Sequence, residues 1–181
     1  MTSGHGPGLE DLMPSWHWRS RHTLILERPP DAVFTMIGEL VVAELPTAVR
    51  HGQRRPQVRV LDNYLRQGFR LFTEERPVGY LLGRIGRFWN RYERHVAPET
   101  ARNDPAWFAR FAEPGFAKAA LGITCLPVDG GAATLLVAET RIVATDAHTR
   151  EEFNRHWLVG SLANPHAQQE LLRAVHHRLA A

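Results

Sequence analysis

From Trp16 onward the chain alternates. Trp16, Trp18, Ser20, His22, Leu24 and Leu26 fall on one face, and His17, Arg19, Arg21, Thr23 and Glu27 on the other, with Ile25 the exception. A period of two predicts a first strand with one face buried. Pro29-Pro30 end it, and Asp31 is placed to cap a helix whose apolar stripe is Val33, Met36, Ile37, Leu40 and Val41. Residues 43–56 carry Pro46, Gly52 and Pro56 and read as a loop. Strand-like sequence follows over Gln57–Tyr64, Gly68–Glu74 and, after a turn at Arg76-Pro77, Val78–Phe88. Gly79, Gly83 and Gly86 punctuate the last of these, as bends, bulges or close approaches do.

Residues 90–104 are polar and irregular. Asp104-Pro105 then opens a short helix through Phe111, with proline in its first turn. Two long strands are predicted over Phe116–Val128 and Ala132–Thr145, with Asp129-Gly130 as the hairpin turn between them. Asp146 caps a helical region that reaches Leu179 and is interrupted at Asn164-Pro165. That interruption reads either as a kink in one helix or as a break between two. Residues 1–14 show no period and read as a disordered lead, leaving 15–181 as one domain.

Composition changes this picture little. A chain of 181 residues with 44% hydrophobic and 23% charged content is ordinary for one soluble globular domain. The net charge of +3 is small, and the nearest basic run, Arg50, Arg54 and Arg55, lies in a loop, so no nucleic-acid surface is indicated. Cys125 is the single cysteine, which excludes an intramolecular disulfide and a cysteine-based zinc site. No apolar run approaches the ~20 residues of a membrane span, and Met1–Gly8 lacks an apolar signal core, so a cytoplasmic protein is expected. The ten histidines show no HExxH or comparable spacing, and no metal or cofactor is expected. Gly83-Arg84-Ile85-Gly86 matches a GXXG loop, but on a strand rather than between helices. Nucleotide-binding and kinase signatures are absent.

The element order resembles the START-like superfamily, also called SRPBCC or Bet v 1-like. The resemblance spans about residues 16–180. It rests on Leu24-Ile25-Leu26-Glu27-Arg28-Pro29-Pro30-Asp31-Ala32-Val33-Phe34, similar to that superfamily's first strand and the helix after it. Further blocks are similar to uncharacterised bacterial members: Gly83–Trp89, Phe111–Lys118, Glu139–Ile142 with Asp146, and Phe153 and Trp157 before a long helix. The resemblance implies an α+β helix-grip fold, in which a curved antiparallel sheet wraps around a long C-terminal helix with an internal cavity. It implies binding of a small apolar or amphipathic molecule there. The superfamily also contains polyketide cyclases and dehydratases, and an interaction module without an open cavity is a third reading.

Under this reading Trp18, Phe69, Leu71 and Tyr80 line the cavity, joined by Phe88, Trp89, Phe116 and Val137 and by Trp157 and Gly160 of the last helix. The polar contacts come from Lys118, Glu139 and Arg141. Of the 22 Lys and Arg residues only Lys118 is lysine, which marks a site where a compact ammonium suits better than a guanidinium, or is chance. With a two-residue turn at Asp129-Gly130, Lys118 lies opposite Arg141 and diagonal to Glu139, as an anion-binding triad or a structural salt-bridge cluster. For the enzyme reading, His22, Glu139 and Tyr80 are the acid/base candidates. Ligand identity and oligomeric state do not follow from the sequence.

Overall fold

Hydrogen bonding gathers the period-two segments into one antiparallel sheet of five strands, in a computed structural model that describes residues 8–46, 57–87, 103–156 and 165–180. The strands are β1 (Trp18–Leu26), β2 (Arg70–Glu75), β3 (Gly79–Gly86), β4 (Ala117–Val128) and β5 (Ala133–Ala144). Their order is β1-β5-β4-β3-β2, so the first strand pairs with the last and forms one edge. The helices are α1 (Leu9–Leu12), α2 (Pro30–Glu39), α3 (Val60–Arg66), α4 (Pro105–Arg110), α5 (Ala147–His156) and α6 (Pro165–Ala180). Helix α6 packs on β1 and β5, and α2 packs beside it on β4 and β5. This is the α+β helix-grip arrangement. Among the described residues no helix is long and apolar enough to cross a membrane.

Side chains on the helix-covered inner face form the main core. Leu82, Ile123, Leu136 and Ala138 from the sheet meet Val33 and Ile37 of α2 and Leu171 and Val175 of α6. The outer face is also covered. There α1 and α4 bring Leu12, Met13 and Phe108 against Leu81, Ile85 and Ala120. Gly83 lies beneath this second layer, where an added Cβ would come within 2.2 Å of the Phe72 ring and 2.9 Å of the Phe108 ring. The glycine is therefore required for α4 to approach β3.

Several elements match the prediction closely. In β1 exposure alternates as the sequence indicates, and Ile25 is 64% exposed. Asp104 accepts from the Ala106 and Trp107 amides and caps α4. The Asp146 carboxylate accepts from the Thr149 amide at 2.9 Å and caps α5. Helix α6 is described from Pro165; the predicted interruption at Asn164-Pro165 falls at the edge of residues 157–164, which lie outside the described residues.

Three elements differ. The strand predicted over Gln57–Tyr64 is mostly helix α3, and only a single bridge, Val41 with Arg59, remains of strand pairing. Val60, Leu61, Tyr64 and Leu65 recur at helical spacing, and the core accepts them as one helical face. The cap of α2 is Pro29, because Pro30 takes the first helical position, where its missing N–H costs nothing. Asp31 is left in the first turn, paired with Arg76. The lead read as disordered over 1–14 is ordered from residue 8, with Leu12 and Met13 each 2% exposed; residues 1–7 lie outside the described residues.

Candidate functional site

The inner face is apolar apart from a few polar groups. Ser20 of β1 pairs with Thr140 of β5, and His22 with Ala138. Above them lies Gln168 of α6, 5% exposed. The Gln168 amide donates through Nε2 to Thr140 Oγ1, and its Oε1 accepts from Ser20 Oγ at 3.2 Å. Ser20 Oγ also lies 3.2 Å from His22 Nε2. A four-member hydrogen-bonded chain thus joins α6 to two strands and ends on the half-buried imidazole. Arg84 of β3 adds a cation to the same face, 2% exposed, its guanidinium carbon 6.0 Å from the Phe69 ring centre.

Aromatic residues frame this layer. Trp18 packs against Phe153 of α5 at 4.5 Å between ring centres, and its indole N–H donates to Asn154. Tyr80 stacks on Phe34 at 4.5 Å and donates its hydroxyl to the Phe34 carbonyl at 3.3 Å. Burial pushes the Tyr80 phenol up to about 12, so it stays protonated and committed to that carbonyl. The Tyr64 phenol and the buried Cys125 thiol are also pushed up to about 12 by desolvation. Cys125 therefore acts as a small apolar side chain.

The outer face carries the ionic groups. Glu139 accepts from Arg19 at 2.8 and 3.0 Å and from Arg141 at 2.7 Å. Arg141 is 2% exposed and also donates to Glu10 and to the Met13 carbonyl. The Trp16 ring lies 4.3 Å from the Arg141 guanidinium carbon and 5.1 Å from that of Arg19. Burial alone would raise the Glu139 pKa, but the hydrogen bonds and charges of Arg19 and Arg141 outweigh it and hold the carboxyl below its ordinary value. Lys118 turns elsewhere. Its ammonium donates to the Phe108 and Ala109 carbonyls at 3.3 and 2.9 Å, closing the C-terminal turn of α4.

The cavity residues predicted from sequence are therefore divided. Trp18, Phe69, Leu71 and Tyr80 belong to the inner face. Phe116 packs in the outer layer, and Lys118, Val137, Glu139 and Arg141 share the outer face by strand alternation. Phe88, Trp89, Trp157 and Gly160 lie outside the described residues.

The Lys118–Glu139–Arg141 triad is corrected in the same way. Val128 pairs with Ala133, so the turn is Asp129–Ala132 and the register moves by two residues. A shift of two keeps each side chain on its face but slides the rows. Lys118 faces Val143, while Arg141 faces Ala120 and Glu139 faces Gly122. Arg19 takes the position beside Glu139 that Lys118 was expected to fill.

Sequence reasoning missed Arg84 and Gln168 as inner-face residues. A signal existed for each. Arg84 continues the alternation Tyr80, Leu82, and Gln168 shares a helical stripe with Leu171, Leu172 and Val175. A polar residue at an apolar-stripe position is the informative observation.

A groove of about 580 Å³ opens where β5 meets α5, lined by His17, Thr145, Asp146, Arg150, Glu151 and Asn154. Asp146 is spent on structure: it accepts from the Gly115 amide and the Thr149 hydroxyl, each at 2.6 Å. Those bonds hold its carboxyl far below the ordinary range. Among the described residues no three His, Cys, Asp or Glu side chains converge to hold a metal ion.

No protein-family profile matches the chain, and neither does any curated protein. Similar solved structures include norcoclaurine synthase from Thalictrum flavum in complex with dopamine and hydroxybenzaldehyde, at 11% identity and a TM-score of 0.35. A second structure of the same protein has 12% identity and a TM-score of 0.33. Each comparison covers 99% of this chain and 96% of the other. Likeness of that degree carries no argument about ligand or reaction.

Proposed function

We propose that the chain binds a small apolar or amphipathic molecule between the inner face of the sheet and the C-terminal helical region. One observation carries the reading: a short chain of neutral hydrogen-bonding groups, Thr140–Gln168–Ser20–His22, is set into a largely apolar layer that also holds the Arg84 cation. Small-molecule sites have this composition, with apolar walls and a few placed polar groups that fix orientation. The ions that would disfavour an apolar guest are largely gathered on the opposite face.

A cyclase or dehydratase reading loses two of its three acid/base candidates. Glu139 is paired on the outer face, and the Tyr80 phenol is committed to a carbonyl. His22 alone remains on the inner face.

Native mass spectrometry of protein purified from its own host, with displacement of an environment-sensitive apolar dye, tests the proposal. The expected result is a co-purified small molecule, or saturable dye uptake that depends on the folded state. Folded protein that carries no molecule and takes up no dye would overturn it.

A further inference from the structure

The pairing of β1 with β5 ends at Trp18 and Ile142, yet the contact between the two segments continues one step further. The His17 amide donates to the Ile142 carbonyl at 2.9 Å, and the Ala144 amide donates to His17 Nδ1 at 3.1 Å. In the second bond an imidazole nitrogen stands in for a backbone carbonyl of the edge strand. A backbone N–H only donates. His17 is therefore neutral in this arrangement, with its lone pair at Nδ1 and its proton at Nε2. An imidazolium carries a proton on each nitrogen and cannot accept the bond.

Protons reach the ring from solvent, because it is exposed and forms part of the wall of the groove between β5 and α5. The groups around it do not favour an imidazolium. Desolvation and the charge of Arg150 on α5 both lower the His17 pKa from its unfolded value of 6.5. Of the two carboxylates that line the groove, Asp146 is held by Gly115 and Thr149. Glu151 forms no ion pair with the ring among the described residues. The Trp18 indole meets the ring edge-on at 5.4 Å and brings no charge. The residue before His17 is Trp16, whose ring packs on the guanidinium groups of Arg141 and Arg19.

We propose that His17 is a pH-operated latch: as a neutral imidazole it fastens the start of β1 to the end of β5, and as an imidazolium it releases the Ala144 amide and loosens the segment that carries Trp16. The contribution of the latch to stability is fully present above the unfolded value of 6.5 and is lost as pH falls through the lower, folded value. The latch is independent of the binding function proposed above, which concerns the other face of the sheet.

The test is amide hydrogen exchange of the full-length protein, read by NMR between about pH 8 and about pH 5, the window in which histidine titrates. Corrected for intrinsic exchange, the Ala144 and His17 amides should lose about tenfold in protection on acidification, the worth of one hydrogen bond. Amides in the middle of β5, such as that of Leu136, should keep theirs. Ring ¹⁵N shifts, correlated to the His17 backbone, should show an unprotonated Nδ1 near neutrality and titrate with the same midpoint as the loss at Ala144. Both midpoints are measured on the parent protein and need no variant to fold. His17→Asn brings an amide oxygen close to the position of Nδ1 and does not titrate, so Ala144 should stay protected throughout. His17→Phe keeps the ring without an acceptor, and should show the low protection of the acidified parent already at neutral pH.

Ala144 protection that does not follow the His17 titration would overturn the latch. So would equal pH profiles in the parent and His17→Asn, or a protonated Nδ1 near neutrality.

Discussion

The two faces of the sheet are closed by different chemistry. The inner face is covered by α2 and α6 and held mainly by apolar contact, with one neutral hydrogen-bonded chain across it and the buried Arg84 beside Phe69. The outer face is covered by short pieces, α1 and α4, pinned by charge. Arg141 clasps Glu10 and the Met13 carbonyl, and Lys118 holds the end of α4. A one-turn helix such as α1 has little propensity to form alone. It needs a strong tether, and a guanidinium with five donors supplies one. The long α6 carries enough apolar surface to dock without charge. A low-charge face is the one on which an apolar guest can be held at small desolvation cost.

The comparison is broken most severely by cutting into the inner face. Leu136 is fully buried there, and Leu136→Ala is expected to cost about 3 kcal/mol through lost transfer energy and a residual cavity. Urea unfolding measures it, with an unchanged m-value showing that the fold is retained. Arg141→Met comes next. It removes the tether but leaves Glu139 with Arg19, so the expected loss is about 2 kcal/mol, below the cost of stranding a buried charge. It should also raise hydrogen exchange in α1 and leave dye uptake at the inner face unchanged. A change in dye affinity would show that the two faces are not independent.

The third prediction concerns pH. The Glu139 carboxyl is held below its unfolded value, close to 4.5. Its contribution to stability is therefore fully present above that value and is lost as pH falls through the lower, folded value. Asp146 titrates in the same direction, so the diagnostic quantity is the difference between parent and Glu139→Gln. That difference should be constant near neutrality and shrink below the ordinary carboxylate range. A constant difference down to acid denaturation would mean that the Arg19–Glu139–Arg141 cluster is not ionic in solution.

Much of this architecture was legible in the chain, and the boundary of legibility has a physical cause. Strand β1 is buried on one side, so its alternation reported both the strand and its orientation. Asp104 and Asp146 announced helix starts because caps are local chemistry. Strand β4 is different. Every residue from Ala117 to Ile123 is buried, because helices cover both faces, and alternation then carries no information about which face is which. Lys118 and Phe116 were accordingly placed on the wrong side. The register error arose in the turn, where Asp129-Gly130 is only the first half of a four-residue connection. In α3 the same apolar residues satisfied either period, and packing against α2 decided between them. The inner polar chain joins residues far apart in sequence, so only the fold could assemble it.

The smallest expected effect bears most directly on the division between faces. Lys118 drew attention as the sole lysine, and its ammonium proves to close α4 on the outer face. Lys118→Met removes two carbonyl contacts and also relieves the desolvation of a buried cation. These terms oppose each other, and a net loss of about 1 kcal/mol is expected. Burial lowers the Lys118 pKa, so the folded state gives up its proton more readily than the unfolded state does. Stability attributable to this residue should then rise as pH climbs through the folded value toward the unfolded value of 10.5. Lys118→Met should remove that alkaline rise. Binding of an anionic dye and a neutral dye should weaken equally little in the variant, because the ammonium faces α4 and not the inner layer. Selective loss of the anionic dye would place Lys118 in the binding site after all, and the separation of the ion-paired outer face from the inner binding face would no longer hold.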